Sequence, residues 1–142
     1  MQLVLKMTVS AALFGFTYNA FASSFACGEQ ASSSGSNDKI TIVGQAIDST
    51  TLANVKVSIE TKGAPREVLS TNGQVSSIDN HSKKKPLNGL TKFRLSDSTG
   101  DTFDFYLPAD FLQSSSASFT GFLRVAFDKG YPKVSPVDCH LE

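Results

Sequence analysis

"LSDSTGDTFDFYLPAD", residues 95–110, sets a short polar turn before an aromatic run that stops at a proline. Upstream, "TKFRL" (91–95) alternates Phe93 and Leu95 with Lys92 and Arg94. Downstream, "TFDFYLP" (102–108) alternates Phe103, Phe105 and Leu107 with Asp104 and Tyr106. A period of two marks a half-buried strand. Gly100, in the turn Asp97-Ser98-Thr99-Gly100, supplies the positive φ that a reversal of this length often needs. Pro108 has no N–H to give a ladder, so the second strand ends there or runs along an edge. The stretch reads as a β-hairpin that delivers large apolar side chains to one core and leaves Asp104 and Tyr106 exposed.

The same alternation extends in both directions. In "ITIVGQAI" (40–47), Ile40, Ile42, Gly44 and Ala46 share a face, with Val43 and Ile47 blurring the pattern. "NVKVSIE" (54–60) sets Val55, Val57 and Ile59 against Lys56, Ser58 and Glu60, and "DSTTLA" between the two segments is a turn region. In "EVLSTNGQVSS" (67–77), Asn72-Gly73 is the favoured pair for a type I′ hairpin, in which both central residues take positive φ. "DNHSKKKPLNG" (79–89) is a polar loop, and "ADFLQSSSAS" (109–118) is a Ser-rich crossing with one helical turn at Phe111-Leu112. "FTGFLRVAFDKG" (119–130) points Leu123, Val125 and Phe127 inward, and "YPKVSPVDCHLE" (131–142), interrupted by Pro132 and Pro136, is predicted to be an edge strand. The expected class is all-β: one seven-stranded, Greek-key-type β-sandwich over 39–142, with an OB-type β-barrel as the alternative.

Residues 1–22 read as a secretory signal: Lys6 near the start, a short apolar core, and Ala20 and Ala22 ahead of a cleavage site at Ser23. The apolar run is too short for a stable membrane span. Residues 23–38 are predicted to form a flexible Ser/Gly-rich arm. The expected location is secreted or periplasmic. Cys27 and Cys139 are the only cysteines, and in an oxidising compartment an even pair is expected to form a disulfide, which brings the chain ends together. The alternative is a lipid anchor at Cys27, but Ser24 stands where bacterial lipoprotein signals usually carry Leu. Thirteen basic residues balance thirteen acidic ones, so the basic excess of a nucleic-acid binder is missing.

Three segments then resemble a known family. "VGQAIDSTTLANVKVSIETKG" is similar to the opening of carboxypeptidase regulatory-like, or transthyretin-like, β-sandwich domains, "LSDSTGDTFDFYLP" to their T-D-x-x-G-x-F-x-F-x-L-P element, and "FLRVAFDKGYPKVSPVDCHL" to their closing strands. Residues 64–90 depart from that pattern as an insertion. The resemblance implies a fold and little chemistry, because such domains usually accompany other modules. The Ser- and Tyr-containing tail of the hydrolase-type members has no match in "DCHLE".

The chemical inventory is sparse. Only His81 and His140 are available as bases, and no Gly-x-Ser-x-Gly elbow occurs. Asp97, Asp101, Asp104 and Asp110 gather around the hairpin but match no calcium loop. No catalytic, cofactor or metal residue is assigned. The candidate partner contacts are Lys83, Lys84 and Lys85, which could dock an anionic partner, with Tyr106 and Tyr131 as interface anchors. Asn80-His81-Ser82 matches a glycosylation sequon. The function expected is an exported, non-catalytic module that binds a protein or glycan through loops 62–90 and 109–118. A structural assembly subunit is the alternative, and a small enzyme or enzyme inhibitor ranks third.

Overall fold

The computed structural model describes residues 22–29, 39–61, 63–98, 100, 102–113, 116–125 and 133–142. Among them run nine strands: β1 (Ser23–Glu29), β2 (Lys39–Asp48), β3 (Thr51–Thr61), β4 (Ala64–Ser70), β5 (Gln74–Ile78), β6 (Thr91–Ser96), β7 (Thr102–Leu107), β8 (Ser118–Val125) and β9 (Lys133–Leu141). A single 3₁₀ turn, Phe111–Gln113, interrupts them. The all-β class stands.

All pairings are antiparallel, and strands that follow one another in the chain lie side by side: β1–β2, β2–β3, β3–β5, β5–β6, β6–β7, β7–β8 and β8–β9. The β9–β1 pairing closes the ring. The architecture is therefore a closed eight-stranded barrel with β4 as an extra strand, and the expected seven-stranded sandwich is corrected. The barrel alternative was nearer, although this ring uses eight strands where an OB barrel uses five. The correction turns on β1. The predicted flexible arm begins instead with seven residues of wall, placed between β2 and β9. Residues 1–21 and 30–38 lie outside the described residues.

The disulfide sits on that closing seam. Cys27 and Cys139 are directly opposite in register, with Cα atoms 4.0 Å apart, and both side chains point into the barrel. The predicted edge strand is likewise corrected, because β9 has β8 on one side and β1 on the other. Pro136 is tolerated there because it lies just beyond the last β1 pair, Glu29↔Val137, where β8 is the only described neighbour.

Asn72-Gly73 does not turn a hairpin. β4 and β5 run in the same direction along the same edge of β3, as two halves of one interrupted strand. The break is stitched by Thr71, whose N–H donates to Val55 O at 2.9 Å and whose Oγ1 accepts from Val55 N–H at 3.0 Å. Gly73 takes positive φ, but the second left-handed residue is Asn54 on the facing strand rather than Asn72. A type I′ turn needs two such residues in succession, and a bulge does not. After the break β5 reaches β6 through only Ser77↔Phe93 and Ile78↔Lys92.

Eight strands enclose a space that side chains can just fill. Phe25 from β1 stacks on Phe105 from β7 across it, ring centroids 6.1 Å apart. Phe93, Leu95, Leu107 and Leu123 are fully buried, as the alternation predicted. Gly44 provides room for Phe25, since a Cβ at that position would lie 2.8 Å from Phe25 Cζ. Neighbouring strands of the ring alternate in direction, so the β2–β3 turn, the β5–β6 loop and the β7–β8 connection gather at one end. The β3–β4 and β6–β7 turns lie at the other. At the first end the 3₁₀ turn inserts Phe111, fully buried and packed on Phe119 at 5.3 Å, as a stopper. Asp48 shapes the β2–β3 turn there by accepting from Thr50 N–H at 2.9 Å, and that bond holds its carboxyl below the usual range.

Candidate functional site

With the interior filled by apolar side chains, recognition chemistry must be sought on the outer wall and in the loops. The register of β6 to β9 places two outward tiers side by side. One is Lys92–Tyr106–Phe122–Pro136 and the other is Arg94–Asp104–Arg124–Val134. Asp104 is the centre of the second tier and is only 4% exposed. Arg94 Nε donates to its Oδ1 at 3.0 Å and Arg94 Nη2 to its Oδ2 at 3.4 Å. Arg124 Nη1 stands 3.6 Å and Lys92 Nζ 3.7 Å from Oδ2. A buried carboxylate is expensive unless cations and hydrogen bonds meet it. Three cations around one anion overcompensate, leaving two positive charges on the wall. The hydrogen bond to Asp104 raises the Arg94 pKa above its ordinary value.

Tyr106 corrects the expectation that it projects into solvent: it is 3% exposed. Alternation put it on the outer side, correctly, but its neighbours cover it. Lys92 Nζ lies 5.9 Å from the ring centroid, and Phe122 flanks the ring on β8. Burial first, and then the charge of Asp104, raise the phenol pKa, with Arg124 and Arg94 opposing. Asp104, predicted to be exposed with it, is covered for the same reason. Tyr131 lies outside the described residues.

Lys83, Lys84 and Lys85 are exposed, as expected, but their loop is built rather than loose. Asn80 Nδ2 donates to the carbonyls of Leu87 and Leu90, both at 2.8 Å, and Asn80 Oδ1 accepts from Ser82 N–H at 3.0 Å. Leu87 is buried, Leu87 and Asn88 donate to Lys84 O, and the Lys85–Pro86 peptide is cis. The sequon nitrogen is thus committed inside the loop. Asn80→Ala should remove these bonds, cost about 2 kcal/mol, and speed exchange of the Ser82 amide well beyond that of the β6 amides. Amide exchange followed by NMR measures both. Unchanged protection at Ser82 would show that the clamp does not order the loop. Within 62–90, expected as a contact surface, β4 and β5 form two strands, as the strand-like pieces either side of Asn72-Gly73 suggested, and 79–90 is a loop.

The three described aspartates of the four do not form one group. Asp97 lies in the β6–β7 turn, Asp104 in mid-strand and Asp110 past β7 at the opposite end, while Asp101 is outside the described residues. Among the described residues no three His, Cys, Asp or Glu side chains converge as metal ligands. His81 is exposed in the loop. His140 faces Ser118 across the β8–β9 ladder and lies 3.6 Å from Glu142, on a groove of about 430 Å³ that Thr120 and Asp138 also line. Its side chain is 58% exposed, so the contact with Glu142 is a solvated one.

The sequence reading missed Lys92, Arg94 and Arg124 as a group. One signal was available: residues 80–96 hold five cations, Lys83, Lys84, Lys85, Lys92 and Arg94, and no carboxylate, in a chain of zero net charge. Arg124 joins them only through the β7–β8 register. Compared with known proteins, no family model, no curated protein and no solved structure matches the chain. Among the described residues no helix is long and apolar enough to cross a membrane.

Proposed function

We propose that this chain is an exported, non-catalytic binding module that holds an acidic protein or glycan partner against the β6–β9 wall and the adjoining 79–90 loop. The observation that carries the reading is the excess of cation around Asp104, placed beside the Tyr106–Phe122–Pro136 tier. Arginine and aromatic side chains in one patch are the residue types enriched where proteins bind. A carboxylate that already orients Arg94 lowers the entropy lost when that side chain meets a ligand. Tyr106 supports the wall from beneath, and Lys83, Lys84 and Lys85 extend the positive surface from the end of the barrel where β6 begins. Export and a secreted or periplasmic location rest on the signal-like residues 1–22 together with the disulfide. The non-catalytic reading rests on two solvated histidines, neither paired with a buried acid. Kinship with carboxypeptidase regulatory-like domains stays part of the proposal through the sequence motifs at 43–63, 95–108 and 122–141 alone.

Retention on immobilised poly-glutamate at low salt tests the reading. Arg94→Gln with Arg124→Gln should weaken binding by about tenfold, with a shallower salt dependence. Lys56→Gln, an exposed cation on β3, should change it little. Equal losses from both would mean that net charge, not this wall, governs binding.

A further inference from the structure

Among the described residues β4 has one hydrogen-bonded neighbour, although β6 also comes close to it without pairing. β4 pairs with β3 from Lys56 to Thr61 and, among the described residues, with no strand on its other side. Such an edge offers N–H and C=O groups to any chain that can lie along it. Here the edge opens onto a groove of about 390 Å³, lined by Glu67, Val68, Leu69 and Ser70 on one side and by Asp97 and Ser98 of the β6–β7 turn on the other. The kink at Thr71–Gly73 creates the groove, because only the chain after it joins β6. We propose that this groove receives an extended peptide from a partner protein, which adds to β4 as a strand and carries a lysine or arginine opposite Glu67.

The charge on the groove selects the occupant. Among the described residues the ionisable side chains lining it are Glu67 and Asp97, and both are acidic. Among the described residues Glu67 has no salt-bridge partner. A second copy of this chain fits poorly. In a two-fold antiparallel strand pair the residue on the axis faces itself, so centring the pair on Arg66 or Glu67 opposes like charges, and centring it on Val68 sets the bulged residue against itself. Pro65 closes the outer end of the edge, having no N–H to give, and leaves Arg66–Ser70, with a bulge at Val68, as the accepting stretch. Strand addition to a free edge, with alternate side chains read by adjoining pockets, is an established mode of peptide recognition. This groove lies at the opposite end of the barrel from Lys83–Lys85, so it stands independently of the basic wall.

The test uses the oxidised protein and two synthetic peptides, acetyl-Thr-Val-Lys-Val-Thr-Val-amide and the same peptide with Glu for Lys. Amide exchange followed by NMR should show new protection at the amides of Arg66–Ser70 that point away from β3 with the lysine peptide and not with the glutamate one. Glu67→Lys should weaken the lysine peptide by about tenfold, since an attractive cross-strand pair becomes a repulsive one. Asp97→Asn, which leaves β4 untouched, should weaken it less and serves if Glu67→Lys does not fold. Failure to protect Arg66–Ser70 at millimolar peptide, or equal binding of the two peptides, overturns the proposal. So does a concentration-dependent dimer that protects the same amides without peptide, which would assign the edge to a second copy. None of these results depends on poly-glutamate binding.

Discussion

Replacing Cys27 and Cys139 together by alanine is expected to lower the unfolding free energy by about 4 kcal/mol. The bond spans 112 positions in sequence, so reducing it frees nearly the whole described chain in the unfolded state. In the folded state it joins β1 to β9, the pairing that closes the ring between the two ends of the described chain. Alanine is the cleaner replacement, because the sulfurs point into the core and a serine hydroxyl would be buried there without water. Urea unfolding followed by far-UV circular dichroism measures the effect, as the chain has no tryptophan. The midpoint should fall, and reduction of the unsubstituted protein should reproduce the shift. A loss below about 1 kcal/mol would mean that the ends of the chain are held by their ladder alone, against the loop-closure argument.

That seam is also where the sequence was hardest to read. The hairpin of β6 and β7 was legible residue by residue, because Phe93, Leu95, Phe103, Phe105 and Leu107 alternate without a break and Gly100 marks the reversal, where it does take positive φ. β1 offers only Phe25 and Cys27 to the core, between serines, alanine and glycine, so its composition resembles the arm it leads into. Without β1 the sheet has two free edges and a sandwich is the natural closure. With β1 the edges meet. The Asn72-Gly73 signal misled for a related reason: local turn chemistry reports which residues tolerate positive φ, not which strand lies opposite. Here Asn54, far away in sequence, takes the second left-handed position and lets β4 and β5 share β3.

The candidate site was half legible. Alternation assigned Lys92, Arg94, Asp104 and Tyr106 to the outer side correctly, but it says nothing about what covers that side. Cross-strand neighbours decide that, and the cluster depends on Arg124 and Phe122 coming from β8. The lysine run was visible at once. Its rigid presentation was not, because it depends on two carbonyls seven and ten residues beyond Asn80.

Phe25→Ala is expected to cost about 4 kcal/mol, the usual loss for emptying a fully buried phenylalanine site. Phe25 is the test residue for β1 as a strand of the wall, since its ring crosses the barrel to Phe105 and fills the space above Gly44. The stronger check comes from pairing it with Gly44→Val. In the unsubstituted protein valine at 44 collides with the ring, the nearest approach being 2.8 Å from its own Cβ, and the overpacking should cost about 1–3 kcal/mol. With Phe25 already reduced to alanine, the same valine enters the vacated volume and should recover about 1 kcal/mol once Val55, whose Cγ2 lies 3.1 Å from the position 44 Cβ, gives by a few tenths of an ångström. The sign of the Gly44→Val effect therefore reverses with the residue at 25. Urea midpoints of the two single variants and the double variant measure it, provided the slopes agree. Additive losses would mean that Phe25 and Gly44 do not share a cavity, and the pairing of β1 with β2 would fall with that result.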